Sequence, residues 1–66
     1  MPNTLFDILK KDHQGSFHWI EAVPDIDTAE ARLRKLSAES SEEFVIFREN
    51  DLRVVATYSD NYYRRL

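Results

Sequence analysis

Two short runs near the start of the chain, "LFDILKK" and "SFHWIEAV", repeat apolar residues two apart on both sides (Phe6 and Ile8, Phe17 and Trp19, Ile20 and Ala22), and "DHQG" separates them. A period of two is the mark of a strand, so these runs predict strands over about 5–11 and 16–23. Asp12 and Gly15 suit a three-residue hairpin loop, in which a type I turn opens on Asp and a left-handed glycine closes it. That turn sets the register. Phe6 falls opposite Ala22, Ile8 opposite Ile20 and Lys10 opposite His18 on one side. Leu5 opposite Val23, Leu9 opposite Trp19 and Lys11 opposite Phe17 share the other.

Beyond Pro24 the period lengthens. Ala29, Leu33, Leu36 and Ser40 lie on one helical stripe, flanked by Arg32, Arg34, Lys35 and Glu39, which predicts a helix over about 28–40. Asp27 is the expected N-cap, with Glu30 in the capping-box position and Ile26 stapled against Ala31. Glu30 and Arg34 form the favourable acid-first pair. "EFVIFRENDLRVVAT" predicts a second hairpin, with strands over about 44–49 and 52–57 turning at Asn50-Asp51. Pairing Glu49 with Leu52 aligns Phe47 with Val54 and Val45 with Ala56. The tail over 58–66, "YSDNYYRRL", is compatible with a helical turn, a strand extension or a frayed end.

The order ββαββ implies an α+β, two-layer fold: a four-stranded, mainly antiparallel sheet with one helix on one face. A right-handed crossover permits strand order 2-1-3-4 or 1-2-3-4. The first is preferred because it is antiparallel throughout and tolerates one open face. The helix then covers Phe6, Ile8, Ile20, Ala22, Val45, Phe47, Val54 and Ala56. Nothing covers Leu5, Leu9, Phe17, Trp19, Val23, Phe44, Ile46 and Val55.

Scattered exposed apolar residues are ordinary, but eight on one sheet face are not. Covering about 500 Å2 of such surface contributes on the order of 10 kcal/mol before entropic costs, comparable to the whole stability of a small domain. Three covers are available: a second copy stacked sheet on sheet, the tail laying Tyr58, Tyr62 and Tyr63 over Trp19, or another protein or ligand. The second copy is preferred. Trp19, Leu9, Phe17 and Ile46 form the expected centre of the contact, with Asp7, Glu21, Arg48 and Arg53 setting its polar register.

Composition strengthens this preference. The chain has 66 residues, enough for one domain over 1–66, and no cysteine. A domain this small buries only about 60% of its unfolded surface. Without disulfides or thiolate metal sites, association is the remaining support. The 42% apolar content is that of a globular chain. A net charge of −3 weighs against electrostatic nucleic-acid binding. The start at Met1 shows no basic-then-apolar leader, and no apolar run approaches the roughly 20 residues of a membrane span. A cytoplasmic protein that does not engage membranes is expected.

Candidate chemistry is thin. Asp7 opposite Glu21 has the form of an acid–base pair, but Arg48 and Arg53 on the same side favour an arginine-bridged structural pair. His13, His18 and Asp12 lack metal-ligand spacing. A single glycine excludes a glycine-rich phosphate loop, and no nucleophile elbow is present. No enzyme, metal or cofactor is expected. The alternative is single-stranded nucleic-acid binding, in which Phe44, Tyr58, Tyr62 and Tyr63 stack on bases beside Arg48, Arg53, Arg64 and Arg65. Hairpin–helix–hairpin layouts host unrelated functions, so architecture alone transfers none. The expectation is a small, non-enzymatic, self-associating module.

Overall fold

The first hairpin forms as its turn chemistry predicts. In the computed structural model, which describes residues 4–66, β1 (Phe6–Lys11) and β2 (Phe17–Val23) are antiparallel. Gly15 donates its amide to the Asp12 carbonyl at 3.0 Å and adopts φ 85°. The Asp12 carboxylate accepts from the Gln14 and Ser16 amides at 2.9 Å each, which locks the loop. Met1, Pro2 and Asn3, the start of the domain expected over 1–66 and of the chain read for a leader, lie outside the described residues.

The expected register holds from the turn as far as Leu9–Trp19 and then shifts by one. Ile20 is the extra residue of a bulge, after which Ile8 faces Glu21, Asp7 faces Ala22 and Phe6 faces Val23. Two gains explain the shift. The larger Val23 replaces Ala22 beneath the helix and is 5% exposed. Glu21 leaves the face that Asp7 occupies, which removes two like charges from direct opposition across the pair.

The helix α1 spans Ile26–Glu39, beginning earlier than the capping-box reading. Its N-cap is Asp25, not Asp27: the Asp25 carboxylate accepts from the Thr28 amide at 2.7 Å. Asp25 follows Pro24 in extended geometry, which suits an N-cap. Glu30 is thereby moved past the first turn and freed for another partner, so neither the capping box nor the staple forms. Ala29 and Leu33 are fully buried, and Ile26 and Leu36 flank them.

The second hairpin pairs β3 (Glu43–Arg48) with β4 (Arg53–Ser59). Phe47 faces Val54 as expected, but Val55 forms a second bulge, so Val45 faces Thr57 instead of Ala56. Both bulges adjoin the Ile8–Ile46 pair of the two central strands. The turn takes four residues, 49–52, and Leu52 adopts φ 56°. A bulky residue in the left-handed region is strained.

The tail is a strand. Asp60 and Asn61 both take positive φ, 52° and 63°, the backbone of a two-residue hairpin turn that favours these residue types. β5 (Tyr62–Arg65) pairs with β4 beyond it. The result is α+β, one helix on one antiparallel sheet, with five strands in the order β2-β1-β3-β4-β5 in place of the four expected. The preferred order survives with β5 added at one edge.

The helix fixes which side of the sheet is the core. Ile8, Ile46 and Ala56 are 0% exposed and share one row beneath it with Phe44 and Val23 nearby. Polar clasps hold α1 at both lateral edges. Arg32 donates to Glu21 of β2 at 2.7 Å, and Arg65 of β5 donates to Glu30 at 2.7 Å. The Tyr63 hydroxyl donates to the same Glu30 carboxylate.

Candidate functional site

The pleat distributes residues into rows across the sheet, and three rows point away from the helix. The first holds Ala22, Asp7, Phe47 and Val54; the second Trp19, Leu9, Val45, Thr57 and Arg64. The third holds Phe17, Lys11 and Glu43, continued by Ser59 and Tyr62 on the last two strands. Trp19 is 63% exposed, Tyr62 66% and Phe17 52%. Leu9, Val45 and Phe47 are half-buried by neighbours in the sheet alone. The face expected to be apolar and open is therefore present, although half of its members differ.

Of the eight residues expected at the contact, Leu9, Phe17, Trp19 and Asp7 lie on this face. Ile46, Glu21, Arg48 and Arg53 lie on the helix side. Ile46 is enclosed completely. The reason is strand parity: "FVIF" is apolar at every position, so its own period carries no information about its inner side. Pairing with β1 decides it, bringing Ile46 onto Ile8 and turning Val45 and Phe47 outward. Val23, Phe44 and Val55 likewise pack with the core, whereas Ala22 and Val54 are exposed.

The carboxylate pair dissolves in the same way. Glu21 binds Arg32 on the helix side, while Asp7 accepts from the Trp19 indole Nε1 at 3.2 Å on the open side. Asp7 acquires a different acidic neighbour, Glu49, whose carboxyl is raised above its ordinary value chiefly by hydrogen bonding to Asp7. Arg48 and Arg53 do not bridge Asp7 and Glu21. Arg48 grips Asp51 at the hairpin tip through two bonds of 2.9 and 2.6 Å, and Arg53 stands 3.9 Å from the same carboxylate.

The aromatic and basic residues grouped for nucleic-acid stacking are divided between the two sides. Phe44 is buried, with the Tyr58 ring 6.4 Å from it. Tyr63 and Arg65 are engaged with Glu30, and burial together with that carboxylate pushes the Tyr63 phenol up to about 12. Only Tyr62 and Arg64 of the group reach the open face. Nor does the tail cover Trp19, because Tyr62 sits on the opposite edge strand.

Two concavities are present, the second touching this face at Lys11 and Glu43. One, of about 360 Å3, is lined by Phe6, Ile26, Val55 and Leu66 with Arg48, Arg53 and Arg65 at its margin. The Arg48 and Arg65 guanidiniums are already bonded to Asp51 and Glu30, and Arg53 stands 3.9 Å from Asp51. The other adjoins the first turn, where His18 contacts Asp12 at 2.7 Å and, with the turn amides, holds that carboxyl down at about 2. His13 is exposed in the turn. Among the described residues, no three His, Cys, Asp or Glu side chains are grouped to hold a metal ion, and no helix is long and apolar enough to cross a membrane.

Sequence reasoning missed Val45, Phe47, Val54, Tyr62 and Glu49 as members of this surface. Tyr62 had a legible signal in the Asp60-Asn61 turn; the others did not, since only pairing and bulges set their direction. In comparisons with family models, curated proteins and solved structures, the chain matches none.

Proposed function

We propose that this protein is a non-enzymatic, cytoplasmic binding module whose open sheet face docks a second copy of itself. The observation that carries the reading is the three-row, largely apolar face with none of the described residues above it. Five strands about 4.8 Å apart and rows about 7 Å apart form a surface roughly 20 Å on a side. Two such faces stacked bury on the order of 1,000 Å2, the threshold of a stable interface. The edges support stacking over strand addition. β2 is bulged, and β5 is four residues long with two arginines, features that discourage edge pairing.

Trp19, pinned by Asp7, and the central Leu9, Val45 and Phe47 supply the apolar contact, and interface energy concentrates in such aromatic anchors. Sedimentation at micromolar concentration should give twice the 7.8 kDa of one chain. Trp19→Ala and Val45→Lys should each shift the protein toward monomer with unchanged circular dichroism. A wild-type protein that stays monomeric, with Trp19 fluorescence fully accessible to a soluble quencher, overturns the reading.

A further inference from the structure

The open face is asymmetric in charge along its strands, and this specifies how a second copy is turned. Asp7 marks one end row of the face, and beyond it the Glu49 amide donates to the Leu5 carbonyl at 3.0 Å. Lys11 marks the other end of the same strand, roughly 13 Å away for four residues of extended chain. Among the described residues Lys11 has no carboxylate within 4.0 Å of its amine, which lies 6.0 Å from the centre of the Phe17 ring. Between them lies the uncharged stretch of the middle row, Trp19, Leu9, Val45 and Thr57.

A two-fold contact must be self-complementary, and sheets stacked with nearly aligned strands have two ways to achieve it. An axis along the strands sets each row against its own copy. That axis also reverses the strand order, so with β3 on the axis Asp7 meets Val54 and Lys11 meets Ser59, and charges closed off from water without a counter-charge are strongly unfavourable. An axis across the strands exchanges the end rows and keeps the middle row on itself, with exposed Arg64 of the edge strand β5 beside its own copy at the solvent rim. We propose that the two copies adopt this second arrangement, with Asp7 of each protomer against Lys11 of the partner subunit and the Trp19–Leu9–Val45 rows stacked between. Glu43, exposed at the first position of β3, turns to solvent at the rim.

This inference rests on the face-to-face reading above but can fail separately from it. Asp7→Lys and Lys11→Asp should each be folded and monomeric at a concentration where the wild type is dimeric. In either variant, like charges meet twice. Mixed in equal amounts, the two should form a heterodimer, since both contacts are then complementary, and native mass spectrometry distinguishes it from either homodimer. The double variant should dimerise with itself.

A wild-type dimer whose variants fail to rescue each other, or stay dimeric singly, overturns this arrangement and leaves the face-to-face reading standing. A monomeric wild type overturns both. Should a charge reversal fail to fold, Lys11→Gln serves in its place. It should weaken the wild-type dimer by about tenfold or more, and an unchanged dissociation constant overturns the proposal.

Discussion

The two faces of the sheet are nearly equal in apolar content and opposite in how their charges are met. On the helix side, Glu21 has Arg32, Glu30 has Tyr63 and Arg65, and Lys10 stands 3.5 Å from Glu42. On the open side, Asp7 has an indole and a second carboxyl, and among the described residues Lys11 has only an aromatic ring. Hydrophobicity therefore does not distinguish the covered face from the open one in so small a domain. Completion of the polar groups within one chain does, because a buried charge needs its partner whereas an exposed one can wait for it.

The sharpest way to break this comparison uses adjacent residues of β3. Ile46→Ala should cost about 2–5 kcal/mol of folding stability by opening a cavity under the helix. Val45→Ala, on the other side, should cost about 1 kcal/mol and act chiefly on association. Equal losses in urea unfolding would mean that the open face is as much a core as the covered one.

Glu30→Gln should cost about 1–2 kcal/mol near neutral pH, through weakened bonds to Tyr63 and Arg65. The Tyr63 hydroxyl foremost, and then Arg65, hold the Glu30 carboxyl below its ordinary value of 4.5, against burial. A depressed carboxyl stabilises the fold fully above the unfolded value and loses that contribution as pH falls through the folded one. Unfolding midpoints should therefore decline below about pH 4.5 in the wild type, and less steeply in Glu30→Gln.

The smallest effect belongs to neither face. Leu52→Gly at the exposed second turn should stabilise the protein by about 1 kcal/mol by relieving the left-handed backbone, with association unchanged. A loss of dimer in that variant would show that the hairpin tip takes part in the contact.

Much of this architecture was legible along the chain. Asp12 and Gly15 specify the first loop by local hydrogen bonds and φ, and the stripe through Ala29, Leu33 and Leu36 specifies the inner side of the helix, so neither needed distant contacts. Asp27 and Asp25 both suit a cap, and only the path out of β2 chose between them. For the candidate site, Leu9, Phe17, Trp19 and Asp7 were legible because they lie close to that first turn. Ile46, Glu21, Arg48 and Arg53 were not, because bulges at Ile20 and Val55 and an apolar run of even character hid their direction.

The sequence by itself determined that a sheet with two greasy sides and a single helix would form, since composition, turn residues and period are local properties. Beyond the first turn, tertiary structure decided which residues occupy which side of the sheet. Side-chain direction alternates at every residue, so a one-position shift at a bulge, or the alignment of β3 on β1, reverses it, and those choices are settled by contacts between segments far apart in the chain.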